Sequence, residues 1–78
     1  MPIKSYLALP LGGRKEELIS ALRSLNQCEV EPANNEDVLA LVTDTPNQKE
    51  DDILKEKIEA ISSLKLLSLV SGFNTSHN

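Results

Sequence analysis

A chain of 78 residues with 12 acidic and 8 basic side chains carries a formal charge of −4; it has room for one domain with one modest core, and none for a second lobe that would close an active-site cleft. Acidity and a scarcity of aromatics, Tyr6 and Phe73 alone, exclude a nucleic-acid backbone as ligand, because neutralising phosphates needs clustered Lys and Arg with aromatic platforms; a basic partner fits better. The single Cys28 excludes an internal disulfide framework and fits a reducing compartment.

The N-terminal run "MPIKSYLALP" is apolar but broken by Ser5 and ended by Pro10, too short for a signal-peptide core or a membrane span, so a cytoplasmic protein is expected. Its Lys4–Leu9 part reads as a strand that leaves into a turn at Gly12-Gly13. A helix is expected from about Arg14 to Leu25, with Leu18, Leu22 and Leu25 on one stripe and Ile19 beside them. Cys28 to Glu31 is a second strand stopped by Pro32; a polar Asn34-Asn35 turn then leads to a third strand from about Val38 to Thr43, making a hairpin. Asn47 can cap a second helix, with Glu50 three residues on as its capping-box partner and Asp51 and Asp52 placed well for the helix dipole. That helix carries the stripe Leu54, Ile58 and Ile61, flanked by Ile53. The apolar run "LKLLSLVSGF" is the last strand, and residues 74–78, "NTSHN", are expected to be a disordered tail after a single domain of residues 1–73.

The order strand, helix, strand, strand, helix, strand contains two βαβ halves, their helix stripes offset by 36 residues. Right-handed crossovers put both helices on one face of a four-stranded antiparallel sheet, with the first and third strands central. The expected fold is therefore α+β, a ferredoxin-like split βαβ, with one sheet face uncovered.

Strand alternation assigns faces. Cys28 and Val30 point to the helices, which makes Cys28 a core residue without the electropositive setting of a reactive thiolate, while Glu29 and Glu31 point outward. The third strand is apolar on both parities; Leu39 and Leu41 share parity with Thr43 and are assigned to the open face, Val38, Ala40 and Val42 to the helices. By the same argument Leu7 and Leu9, in phase with Ser5, line the open face. Such a face is either a binding surface, the seat of a homodimer, or the ordinary apolar back of a central strand. In the last strand, the internal offset pairs Leu66 with buried Val30.

Several segments together resemble the NapD family of small cytoplasmic chaperones of periplasmic nitrate reductase. They are Ser5 opening an apolar strand, a helix ending near Leu22, Cys28-Glu29-Val30 matching a Gly-Cys-Glu-Val, and Leu67-Ser68-Leu69-Val70 matching a Val-Ser-Leu-Val. The likeness spans about Ser5 to Phe73; Gln27 stands where the family has glycine, and the loop around Asn34-Asn35 is shorter. The resemblance implies a ferredoxin-like fold with no cofactor, no metal and no catalytic residue. It also implies binding of the twin-arginine signal peptide of the nitrate reductase catalytic subunit until the molybdenum cofactor is inserted. It favours Leu67 and Leu69 as buried, with Leu66, Ser68 and Val70 outward. The expected peptide surface is then Leu7, Leu9, Leu39, Leu41, Leu66 and Val70, bordered by Glu29 and Glu31, on a monomer or weak homodimer. The alternative for the two glutamates is that they are solvated charges that guard an edge strand against pairing with another chain.

Competing chemistries are weaker. Gly12, Gly13 and Arg14 at a helix start could cradle an anion, as in acylphosphatases, but the third strand supplies no matching asparagine. A copper chaperone would need a pair of cysteines in the first loop. His77 is a lone imidazole in a polar tail, and the acidic clusters lie at helix starts, where the dipole accounts for them. The main alternative function is a small-molecule-sensing regulatory domain of the ACT type, working as an obligate dimer.

Overall fold

The computed structural model describes residues 3–70. Six elements follow in the expected order: β1 (Ile3–Pro10), α1 (Lys15–Arg23), β2 (Cys28–Pro32), β3 (Leu39–Asp44), α2 (Gln48–Glu59) and β4 (Leu64–Leu69). They build one antiparallel sheet of order β2-β3-β1-β4, the ferredoxin-like α+β arrangement with β1 and β3 central. The expected tail at residues 74–78 and the last part of the expected final strand, residues 71–73, lie outside the described residues.

Each helix begins for a local reason. Before α1, Gly13 adopts φ 77°, a left-handed conformation that a side chain disfavours, and Arg14 N–H donates to Leu11 C=O at 3.0 Å to close the turn. Asn47 is extended, and its Oδ1 accepts the Glu50 backbone N–H at 2.9 Å, so the side chain satisfies an otherwise orphaned amide of α2.

The core lies between the helices and one sheet face. Leu18, Ile19 and Leu22 of α1 and Leu54 and Ile58 of α2 pack over Tyr6 and Ala8 of β1 and Leu39 and Leu41 of β3. Leu25, Cys28, Val30, Ile61, Leu64 and Leu67 close its margin. Fully burying a leucine or isoleucine is worth roughly 1.5–3 kcal/mol, so these few side chains carry much of the fold's stability.

The phase of β3 is the reverse of the sequence expectation. Leu39 and Leu41 are 0% exposed and face the helices, whereas Ala40 and Val42 are exposed on the open face. The register requires it: Leu41 lies opposite Tyr6 and Leu39 opposite Ala8, both core residues. Thr43, taken as a marker of the open side, is 1% exposed beneath the helices. Threonine has nearly the shape of valine, so its polarity is a poor guide to facing within a strand.

The other strands turn the expected residues to each face. Cys28 and Val30 pack against the core with Glu29 and Glu31 exposed. In β4 the pairs Ala8–Leu67 and Tyr6–Leu69 place both leucines on the helix side, leaving Leu66, Ser68 and Val70 on the other. Leu69, expected to be buried, is 53% exposed, because β4 is an edge strand. Strand β2 runs on through Pro32, which an edge accommodates because the missing N–H would face away from β3.

Candidate functional site

The sheet face opposite the helices carries four of the six exposed large hydrophobics found among the described residues. Register assembles it in rows. Glu29, Val42 and Ser5 lie side by side, with Val70 N–H donating to Ser5 C=O at 2.9 Å to extend the row onto β4. Glu31, Ala40, Leu7 and Ser68 form the next row, Leu9 and Leu66 the one beyond, and Asp44 lies opposite Ile3 at the other end. Ile3, Leu7, Val42 and Leu66 are all exposed large hydrophobics, 64%, 42%, 37% and 54% respectively. Contiguous apolar exposure of this kind on a small protein is typical of a surface kept for a partner.

Two adjoining hollows give the face its relief. One, of about 280 Å³, is lined by Ser5, Tyr6, Leu7, Ala40, Leu41, Val42 and Val70, and its wall is almost wholly apolar. The second, about 330 Å³, is lined by Ile3, Asn26, Gln27, Glu29, Val42 and Asp44. Val42 belongs to both, so an apolar trough runs directly into a patch bearing two carboxylates and two side-chain amides. An amphipathic ligand with a cationic end matches that sequence of surfaces, since carboxylates accept bidentate hydrogen bonds from guanidinium groups.

Of the side chains expected at the site, Leu7, Leu9, Glu29, Glu31, Leu66 and Val70 do share this face. Leu39 and Leu41 do not; their places are taken by Ala40 and Val42. Asp44 and Ile3 are additions. Asp44 was legible in principle, because a charged residue in phase with Ala40 and Val42 marks that parity as the solvent side.

Several other ionisable groups belong to the scaffold. Asp51, read from the sequence as a dipole residue, is 2% exposed and pairs with Lys4 Nζ at 2.7 Å, tying α2 to β1. That hydrogen bond holds the Lys4 ammonium above its ordinary value. Burial pushes the Cys28 thiol up, the opposite of what a nucleophile needs. The Arg14 guanidinium is engaged by Glu17 at 2.6 and 3.1 Å, which turns it onto its own helix rather than into the glycine loop. Lys15 Nζ donates to the carbonyls of Ala33 and Glu36 at 2.7 and 2.9 Å, anchoring the β2–β3 loop to α1. Among the described residues no group of three or more His, Cys, Asp or Glu is placed to hold a metal, and no helix is long and apolar enough to cross a membrane. No family model, curated protein or solved structure matches this chain.

Proposed function

We propose that this protein is a signal-peptide chaperone of the NapD type, which holds the twin-arginine signal peptide of a periplasmic nitrate reductase catalytic subunit on the open face of its sheet. One observation carries the reading: an exposed apolar trough, Leu7, Ala40 and Val42 at its centre, opens directly onto the carboxylates of Glu29 and Asp44. A twin-arginine peptide has the complementary order, a cationic pair followed by an apolar stretch able to form a helix. Burial of that stretch supplies most of the binding free energy, while the carboxylates select for arginine and reject an uncharged apolar helix. The chain's net charge of −4 attracts a cationic peptide at long range.

The chaperone action then needs no chemistry. A peptide lying on the sheet cannot at the same time present its arginines to the translocase, so export waits while the molybdenum cofactor is inserted, and dissociation releases the finished enzyme. The resemblance through Cys28-Glu29-Val30 and Leu67-Ser68-Leu69-Val70 supports this client class.

The test is an NMR titration of labelled protein with a synthetic twin-arginine peptide beside a double-glutamine control. Shifts concentrated at Leu7, Ala40, Val42, Glu29 and Asp44, with much weaker binding of the control, are the expected result. An unchanged spectrum with the arginine peptide refutes the proposal.

A further inference from the structure

The two edges of the sheet are built differently. The β2 edge is guarded: Glu29 and Glu31 flank it, and Pro32 removes one of its outward amides. The β4 edge, Leu64–Leu69, has Lys65 as its one charge and contains no proline. The bond from Val70 N–H to Ser5 C=O sets the hydrogen-bonding phase of the β1–β4 ladder, so Ser68 and Leu66 pair inward to β1. Leu67 and Leu69 then turn their backbone N–H and C=O groups out from the sheet. Leu66 and Leu69, on opposite faces of this edge, are 54% and 53% exposed.

We propose that a second copy of this chain pairs antiparallel with β4 across a two-fold axis at Ser68, joining two sheets into one of eight strands. The occupant is argued from self-complementarity. In this register Leu67 meets Leu69 of the second copy, and each such pair exchanges both backbone hydrogen bonds. On the helix side leucine covers leucine. On the open side Leu66 meets Val70 of the second copy, and no like charges oppose one another. Because the axis is perpendicular to the sheet, both open faces look the same way, and the two apolar troughs become one continuous surface. A single strand pair buries little area, so association is weak and depends on concentration. This inference stands apart from the peptide proposal and survives or fails without it.

The experiment is sedimentation velocity of the full chain from micromolar to millimolar concentration, with isotope-filtered NOE spectra on a mixture of labelled and unlabelled protein. The expected result is a mass rising from 8.6 kDa towards its double, with intermolecular NOEs linking Leu67 and Leu69. Leu69→Lys, at an exposed site that leaves the circular dichroism unchanged, weakens association at least tenfold. Three results overturn the proposal: monomer at every concentration, a dimer whose NOEs arise from Leu7 and Val42, or Leu67 and Leu69 amides protected equally at all concentrations.

Discussion

Replacing adjacent residues of β3 by alanine separates the two faces of the sheet. Leu41 is 0% exposed in the core, and Leu41→Ala removes three carbons worth about 0.8 kcal/mol each, to which an unrelaxed cavity adds, giving a loss of about 3 kcal/mol. Val42→Ala removes two carbons from a side chain already 37% exposed, a loss of about 1 kcal/mol. With a urea m-value of about 1 kcal/mol/M for so small a chain, the unfolding midpoint falls by about 3 M for Leu41→Ala and about 1 M for Val42→Ala. The assay is urea unfolding followed by circular dichroism at helical wavelengths, with m required to stay constant so that midpoints compare. Peptide binding reads the opposite order: Val42→Ala weakens it, whereas Leu41→Ala, in conditions where it is folded, changes it less, because the side chain removed faces the helices. Equal midpoint losses, or a larger loss at Val42, would refute the assignment of β3 and with it the site.

Asn47→Ala costs about 1 kcal/mol, because the Glu50 amide loses its acceptor, and Asn47→Asp restores most of it; thermal unfolding of the three proteins checks the order. Stability falls as pH rises above about 9. Burial raises the Tyr6 phenol above 10.0 and the Cys28 thiol above 9.0, and the hydrogen bond to Asp51 raises the Lys4 ammonium above 10.5, so the folded state holds protons the unfolded chain has released. Each contribution is complete below the unfolded value and lost as pH passes the folded one, so urea midpoints decline through the alkaline range, and Tyr6→Phe and Cys28→Ala delay the decline. Glu29→Gln and Asp44→Asn each weaken twin-arginine peptide binding about two- to fivefold and flatten its salt dependence, without changing affinity for the double-glutamine peptide, as isothermal calorimetry can show.

Much of this molecule follows from local sequence. Leucines and isoleucines at helical spacing mark α1 and α2, Asn47 with Glu50 three residues on marks a helix start, and the order of elements leaves few topologies for a single sheet. The face of β2 is equally legible, because Cys28-Glu29-Val30-Glu31 alternates in polarity and a strand turns that alternation into sides. Strand β3 offers a divided signal. Leu39, Ala40, Leu41 and Val42 are apolar on both parities, and the two polar residues that follow point opposite ways, Thr43 in phase with the leucines and Asp44 with Ala40 and Val42, while a shift of one residue exchanges the core for the surface. Tertiary structure decides it: pairing with β1 sets Leu41 against Tyr6 and Leu39 against Ala8, and the larger side chains fill the space beneath the helices while Ala40 and Val42 floor the shallow trough. The same holds for Lys4 and Asp51, residues 47 positions apart in the chain, whose pairing exists only once α2 lies across β1.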